Sequence, residues 1–388
     1  MNSTKTKLCC IFNTPSLYRE LIYKKIEETY DCDWYFEDTD NKLKEFNTDK
    51  FHNVVRLHSF NIGPFYGVKG LVSLLFRDNY DLYLMMGHSR NLSTFLFLVL
   101  KRLFFKQKRA FLWTHGFYGK EVFFEKLWKK ILLNSADGLL IYGDYSCNLM
   151  KNKYGFDGKK LYPIHNSLDY DAQLLIRKSI KPSLIFRNHF NNENKTLIFI
   201  GRLTFIKKLH MIIQAIADLG VKGESYNLVF VGDGPSRTEL ENMAINLDVS
   251  NQVWFYGACY DEIINAELVY NADLCVSPGN IGLTSIHVLM FGCPAISNDD
   301  FSHQMPEFEA IKEYKTGLFF QRDNQGSLNE SISKWFSQKD YNRDKIRNNC
   351  YKEVDSNWNT DYQMEIIKKC LMINNYQHSI NEGPCCKA

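Results

Sequence analysis

The chain has 388 residues, 45% of them hydrophobic and 23% charged, and a formal net charge of +3. That length allows two hydrophobic cores, and the near-neutral balance argues against a nucleic-acid partner. Aromatic residues make up 14% of the chain, which suits either carbohydrate contacts or a Phe- and Tyr-rich core, the commoner use. Eleven cysteines are scattered, with Cys9-Cys10 and Cys385-Cys386 as adjacent pairs and no C-x-x-C spacing. This pattern predicts a reducing compartment and argues against a disulfide framework and a zinc site, so no metal ligands are expected. The opening residues run straight into an apolar strand, so no signal peptide is expected. The apolar stretch at 95–100 is far too short to span a membrane.

In chain order, residues 7–13 read as a strand ending in the turn signal Thr14-Pro15-Ser16, and 17–30 as a helix. Strands are predicted at 32–36, 53–57, 81–86, 109–114 and 138–142, with helices at 66–76, 92–105, 123–133 and 145–154. The strands are apolar on both faces, as in a parallel sheet covered on both sides. Alternation lapses over 171–195, where a polar, Asn-rich run reads as a linker. It restarts with strands at 196–201, 227–232, 253–257, 272–276, 295–297 and 317–320. Helices fall at 208–219, 237–246, 263–270 and 286–290, and three more close the chain at 328–336, 343–354 and 361–370. Two doubly wound domains are predicted, at 1–170 and 196–358, followed by a segment 359–388.

The stretch from Ser277 to Thr284 is a small-residue turn between a strand and a helix, a place where backbone N–H groups can meet an anion; an ordinary connection is the alternative. Arg202 and Lys207 leave the end of the 196–201 strand, where two cations would clamp a diphosphate unless they are merely solvated. Gly232-Asp233-Gly234-Pro235 is a tight turn that suits close backbone approach to a ligand, or a plain turn. The aromatics of 253–257 are a base platform or core.

Taken together, Gly201-Arg202-Leu203-x-x-x-Lys207, Val231-Gly232-Asp233-Gly234-Pro235, Val253-x-Phe255-x-Gly257, Ala272-Asp273-Leu274-x-Val276-Ser277-Pro278 and Gly292-x-Pro294-Ala295-Ile296 resemble the nucleotide-sugar glycosyltransferases of the GT-B fold, the family 4 group (glycosyl transferases group 1). The resemblance covers about 195–320 well and the N-terminal half more loosely. It implies an α/β GT-B chain, with two Rossmann-like doubly wound domains facing a central cleft. The first would bind the acceptor, the second the nucleotide sugar, and the helix near 359–373 would cross back to the first. It further implies that Arg202 and Lys207 hold the donor diphosphate, together with Gly201 and Gly232. Tyr256 and Gly257 would contact the base, and Gly282, Leu283 and Thr284 the phosphate. His115 would face the donor sugar, which makes His115, Arg202 and Lys207 the catalytic candidates.

Two departures follow. The family has two Glu where this chain has Gly279 and His287. A neutral His can still bond a ribose hydroxyl, whereas Gly279 has no side chain for the sugar. Asp299, Asp300, Glu307 and Glu309 are candidates to compensate. Tyr18, Arg19, His88, Arg90, Tyr118 and Glu121 leave strand ends of the first domain and are candidate acceptor contacts, Glu121 also as a base. Lys101, Arg102, Lys106, Lys108 and Arg109, interleaved with Phe95, Phe97, Phe104 and Phe105, suit either an anionic membrane surface along 95–113 or a buried helix with solvated ends.

The function implied is sugar transfer from a nucleotide diphosphate donor to a saccharide or lipid-linked acceptor. The family context is bacterial surface polysaccharide biosynthesis. Anomeric configuration would be retained, with no metal or cofactor beyond the donor co-substrate. The protein would be cytoplasmic, peripheral at the inner face of the plasma membrane. Two alternatives stand beside it: a sugar-nucleotide epimerase or hydrolase on the same architecture, and a catalytically silent nucleotide-binding partner subunit, which the missing Glu pair favours.

Overall fold

The computed structural model describes residues 5–38, 44–339 and 341–372; Cys385 and Cys386 lie outside them. The chain divides into two compact units, 1–167 with 360–388, and 168–359. All nine cysteines among the described residues are free, and all but Cys259 are buried, where a thiol acts as a small hydrophobe.

The first unit is built on eight strands: β1 (Lys7–Phe12), β2 (Asp31–Asp38), β3 (Val54–Ile62), β4 (Phe65–Val68), β5 (Leu82–Met86), β6 (Arg109–Thr114), β7 (Gly138–Ile141) and β8 (Leu161–Pro163). Their order is β4-β3-β2-β1-β5-β6-β7-β8, parallel except for the antiparallel β3–β4 pair. The helices are α1 (Glu20–Thr29), α2 (Leu92–Phe104), α3 (Phe123–Asn134) and the short α4 (Asp144–Asn148). Strand β1 shows why both faces must be covered. Its Cys9 and Ile11 enter one core with Phe97, Leu98 and Leu132, and Leu8, Cys10 and Phe12 enter another with Ile22, Tyr23 and Ile26.

The helix expected at 66–76 is not there. Gly67 and Gly70 weaken a helix, and Gly63 at φ +55° turns β3 back so that Ile62 pairs with Phe65. A 3-10 turn, Val72–Phe76, follows. The membrane stretch 95–113 also changes character. Lys101 is buried in an ion pair with Asp137, and Lys108 is buried with its Nζ donating to the Arg77 carbonyl. Two of the five cations therefore hold the fold together, and Phe97 is core. No helix among the described residues is long and apolar enough to cross a membrane.

The second unit begins with α5 (Tyr170–Ser179) and α6 (Ile185–Phe190), where a linker was expected. Both are fastened to their own unit. Tyr170 donates to Asp355 at 2.8 Å, Arg177 pairs with the same carboxylate at 2.9 Å, and His189 stacks on Trp254 at 3.8 Å. Then come β9 (Lys195–Ile200), α7 (His210–Val221), β10 (Tyr226–Val231), α8 (Arg237–Asn246), β11 (Val253–Gly257), α9 (Glu262–Asn271), β12 (Leu274–Ser277), α10 (Thr284–Met290), β13 (Ala295–Asn298), β14 (Gly317–Phe320), α11 (Gln325–Phe336) and α12 (Arg343–Asn357). The six strands are parallel, in the order β11-β10-β9-β12-β13-β14. The order reverses direction between β9 and β12, so the crevice beyond their carboxyl ends is where such a sheet takes a ligand.

The last described helix, α13 (Thr360–Met372), returns to the first unit. Its Ile367, Cys370 and Leu371 complete the core against α1, β7 and β8. Tyr362 donates to the Pro163 carbonyl at 3.0 Å and Gln363 to the His165 carbonyl at 3.1 Å.

Candidate functional site

A cavity of about 740 Å³ opens at the β9/β12 reversal of the second unit. Gly201 and Arg202 line it after β9, Gly232 and Asp233 after β10, and Leu283, Thr284 and His287 from α10. Arg202 is exposed, a fixed cation at the cavity wall. The Thr284 hydroxyl donates to the Ile200 carbonyl at 3.3 Å, tying the start of α10 to the end of β9.

The glycines here answer to protein backbone. A Cβ on Gly232, whose φ is +148°, would stand 1.9 Å from the Gly201 carbonyl oxygen. One on Gly279 would stand 2.3 Å from the Ile206 carbonyl oxygen and 2.7 Å from the Lys207 Cα. Gly279 is thus fixed by packing, its N–H donating to the Lys207 carbonyl at 3.0 Å, and no acidic side chain could occupy that place.

Several expected donor contacts lie elsewhere. Lys207 does not line the cavity; its Nζ donates to the carbonyl and the side-chain oxygen of Asn280, at 2.6 and 2.8 Å, and burial lowers its pKa. Its cation braces the 277–280 turn. Tyr256 and Gly257 are also outside the lining, where Ala258, Cys259 and the almost fully exposed Tyr260 stand instead. The aromatics of β11 face protein: Phe255 stacks on Phe230, and Tyr256 meets Trp254 edge-on. Gly279 and Gly282 do not line the cavity either.

None of Asp299, Asp300, Glu307 and Glu309 lines this cavity. Asp299 accepts from the Arg322 N–H; burial raises the Asp300 pKa, but the bonds from Ser302, Arg322 and His303 outweigh it and hold its carboxyl down to about 2. A carboxylate does reach the wall from a direction the sequence reading missed. Glu262, the first residue of α9, accepts from Gln173 Nε2 at 2.8 Å and lies 2.9 Å from His287 Nε2. Gln173 comes from α5, inside the stretch taken for a linker. Burial works against its charge, but the bonds from His287 and Gln173 leave the Glu262 pKa below the usual carboxylate value.

In the first unit, His115 follows β6 and is enclosed. Its ring lies 4.5 Å from that of Tyr142 and 5.9 Å from that of Tyr118. Burial, then the Arg19 and Lys129 charges, push its pKa down to about 3, so it is neutral near pH 7. Its Nδ1 is buried without a hydrogen-bond partner among the described residues. Arg19, expected at an acceptor surface, is instead buried against the Trp113 and Tyr142 rings. It donates to the Tyr142 hydroxyl and to the Tyr23 hydroxyl at 3.4 Å. Burial opposes its charge, but the tyrosines around it raise its pKa.

Glu121 is likewise a structural group. Its side chain is only 2% exposed and accepts from the N–H groups of Tyr118 and Gly119 at 2.6 and 2.9 Å and from Lys129 Nζ at 3.1 Å. Despite burial, these bonds lower its pKa, which suits a loop clamp and not a base. Tyr18 is half-buried in the turn before α1, its ring 5.3 Å from the Arg19 guanidinium.

His88 and Arg90 do line an open space. With Pro64, Phe65, Phe124, Leu127, Trp128 and Ile131 they border an apolar groove of about 830 Å³ between the β3–β4 hairpin and α3. Trp128 Nε1 donates to the Ser89 carbonyl at 2.5 Å and its ring lies 4.4 Å from Phe95, which fixes the groove floor. Beside it, Phe123 and Phe124 are 68% and 80% exposed, and Glu125, Lys126 and Lys130 follow them on α3.

Residues 181–353, nearly all of the second unit, match the family described as Glycosyl transferases group 1. The second unit is thus similar to a glycosyl transferases group 1 domain. An uncharacterized glycosyltransferase of Methanocaldococcus jannaschii is 24% identical over 214 residues, 54% of this chain and 51% of that one. The alpha-monoglucosyldiacylglycerol synthase of Streptococcus pneumoniae is 25% identical over 170 residues, 43% of this chain and 38% of that one. The matches thus span about half, or less, of the curated relatives' length. Among solved structures, HepE of Anabaena in complex with UDP superposes with a TM-score of 0.69 at 16% identity, over 94% of this chain and 99% of that one; it has also been solved with UDP-glucose. The second unit and the unit before it therefore have the two Rossmann-like sheets of GT-B glycosyltransferases.

Proposed function

We propose that the protein transfers a sugar from a nucleoside-diphosphate donor to an acceptor, with the donor seated in the second unit. The observation that carries this reading is the cavity at the β9/β12 reversal, walled by Arg202 and the turn before α10, inside a unit that matches the Glycosyl transferases group 1 family. Arg202 would take up charge developing on the departing diphosphate, with backbone N–H groups of the 282–284 turn assisting. This arrangement asks for no metal ion, and the departing phosphate can itself assist a retaining transfer. A uridine nucleotide is the first donor to test, because HepE is a structural neighbour solved with UDP and UDP-glucose.

The acceptor is saccharide or lipid-linked, and the groove beside His88 and Arg90 favours the lipid-linked form. Its apolar walls and the exposed Phe123 and Phe124, followed by Lys126 and Lys130, suit an amphiphile presented at an anionic membrane surface. The synthase relative is named for a glycolipid product, which points the same way. Bacterial surface glycoconjugate assembly at the cytoplasmic face of the membrane is the setting that joins these features.

A thermal-shift panel of nucleoside diphosphates and nucleotide sugars tests the donor. The true donor raises Tm in proportion to its concentration over Kd, and no shift with any of them refutes the reading. Sedimentation with anionic phospholipid vesicles tests the surface: F123E/F124E should abolish binding, whereas wild-type protein that stays in the supernatant removes the membrane role.

A further inference from the structure

We propose that Glu262, aimed by His287 and Gln173, is the group that recognises the ribose diol of the bound nucleotide. The assignment rests on the donor reading above. It adds a residue from α9 and one from α5 to a site otherwise built from the segments that follow β9, β10, β11 and β12.

The case starts from what a nucleoside diphosphate needs. Its phosphates need cations and N–H donors, and Arg202 with the 282–284 turn provides them. Its ribose presents two vicinal O–H donors, which one ionised carboxylate, an acceptor-only group, can take together. Two carboxylates line the cavity. Asp233 is engaged in its own turn, with Oδ1 accepting from the Gly234 N–H at 2.7 Å and Oδ2 3.9 Å from Arg237. Glu262 is differently placed. His287 and Gln173 both meet its Oε1, at 2.9 and 2.8 Å, which fixes the carboxylate in one orientation. Its side chain nevertheless remains 36% exposed, whereas that of His287 is 14% exposed. The histidine therefore stands behind the carboxylate as its positioning group, and the carboxylate meets the cavity.

Location agrees with chemistry. Thr284 and His287 are three residues apart on α10, so they share one face a turn apart, and both line the cavity. A phosphate end at Thr284 and a ribose end at Glu262 would thus have adjoining seats. The acid that position 287 lacks is delivered through that same position, from the neighbouring helix.

The experiment is calorimetric titration with a nucleoside diphosphate and its 2′-deoxy counterpart, using the base that gives the largest thermal shift. Wild-type protein should bind the ribo form about tenfold or more tightly than the deoxy form, because removing a hydroxyl leaves a buried acceptor unpaired. Glu262→Gln should erase most of that preference by weakening the ribo form several-fold more than the deoxy form, which keeps only its 3′-hydroxyl. Gln173→Ala and His287→Ala should reduce the preference in part, by loosening the carboxylate. A ribo-to-deoxy ratio that stays the same in Glu262→Gln, in protein that melts like wild type, overturns the assignment and leaves the donor reading intact. Failure of wild-type protein to bind any nucleotide overturns both.

Discussion

The cavity of the second unit and the His115 cluster of the first both stand at the carboxyl ends of parallel strands, yet they are made of opposite materials. The cavity is shaped by backbone: Gly232 lies against the Gly201 carbonyl and Gly279 against the 206–207 turn, and the walls are open to solvent. The His115 cluster is shaped by side chains, with an imidazole between tyrosines near a buried guanidinium. Backbone-built sites tolerate no added carbon. Clusters built from side chains shift the protonation of whatever they enclose.

The sharpest break of this contrast is Gly232→Ala. A Cβ 1.9 Å from a carbonyl oxygen, on a backbone that L-residues rarely adopt, should cost about 3 kcal/mol or more, read as a fall in the urea midpoint. A midpoint unchanged from wild type would show that backbone packing does not define this site. Arg202→Ala should come next. Loss of a charge-assisted contact of about 1.5–3 kcal/mol predicts nucleoside-diphosphate affinity about 10–100-fold weaker, with Tm of the free protein unaltered.

Glu37 tests the side-chain-built half. It is buried at the end of β2, accepts from Asn91 Nδ2 at 2.9 Å, and burial raises its pKa from 4.5 to about 7. The folded protein therefore holds this proton more tightly than the unfolded chain. Its contribution is present below about pH 4.5 and is lost as pH rises through 7. Glu37→Gln should stabilise the protein by about 1–3 kcal/mol at pH 8 and leave it unchanged at pH 4, by denaturant melts at the two values.

The smallest expected effect concerns activity and His115. With a folded pKa near 3 against 6.5, its sign is the reverse: stability falls as pH drops through that interval, because the unfolded chain takes up the proton more readily. Across about pH 5–8 the imidazole does not titrate, so His115→Asn should leave the midpoints of the kcat/KM profile in place. A lost acid limb in that variant would show that His115 ionises during turnover.

The same contrast explains what the sequence made legible. Motifs that fix backbone survive as residue identities, so the family resemblance could carry Gly201, Arg202, Gly232, Leu283, Thr284 and His287 to the donor site, and they line the cavity. Lys207 has the right spacing but bonds Asn280, since spacing does not say which way a lysine turns. Glu262 and Gln173 were missed because their roles depend on contacts between helices distant in sequence. Asp261, whose carboxylate accepts from Ile263 and Ile264 N–H, was the available signal that α9 starts one residue earlier than its apolar pattern suggests. The 171–195 stretch was misread because its helices are held by Asp355 and Trp254, which no local pattern reveals. The β3–β4 hairpin could have been read from Gly63, Gly67 and Gly70, whose spacing disfavours the helix inferred from the apolar residues alone.

Because α13 seals one face of the first unit, that unit cannot finish folding when its own strands leave the ribosome. Phe111, Leu140 and Tyr162 must wait for Ile367, Cys370 and Leu371, which are synthesised after the entire second unit. At ordinary elongation rates the wait is on the order of 10 s. During that time an aromatic face that is buried in the finished protein stands open in the nascent chain, where a holdase could reach it.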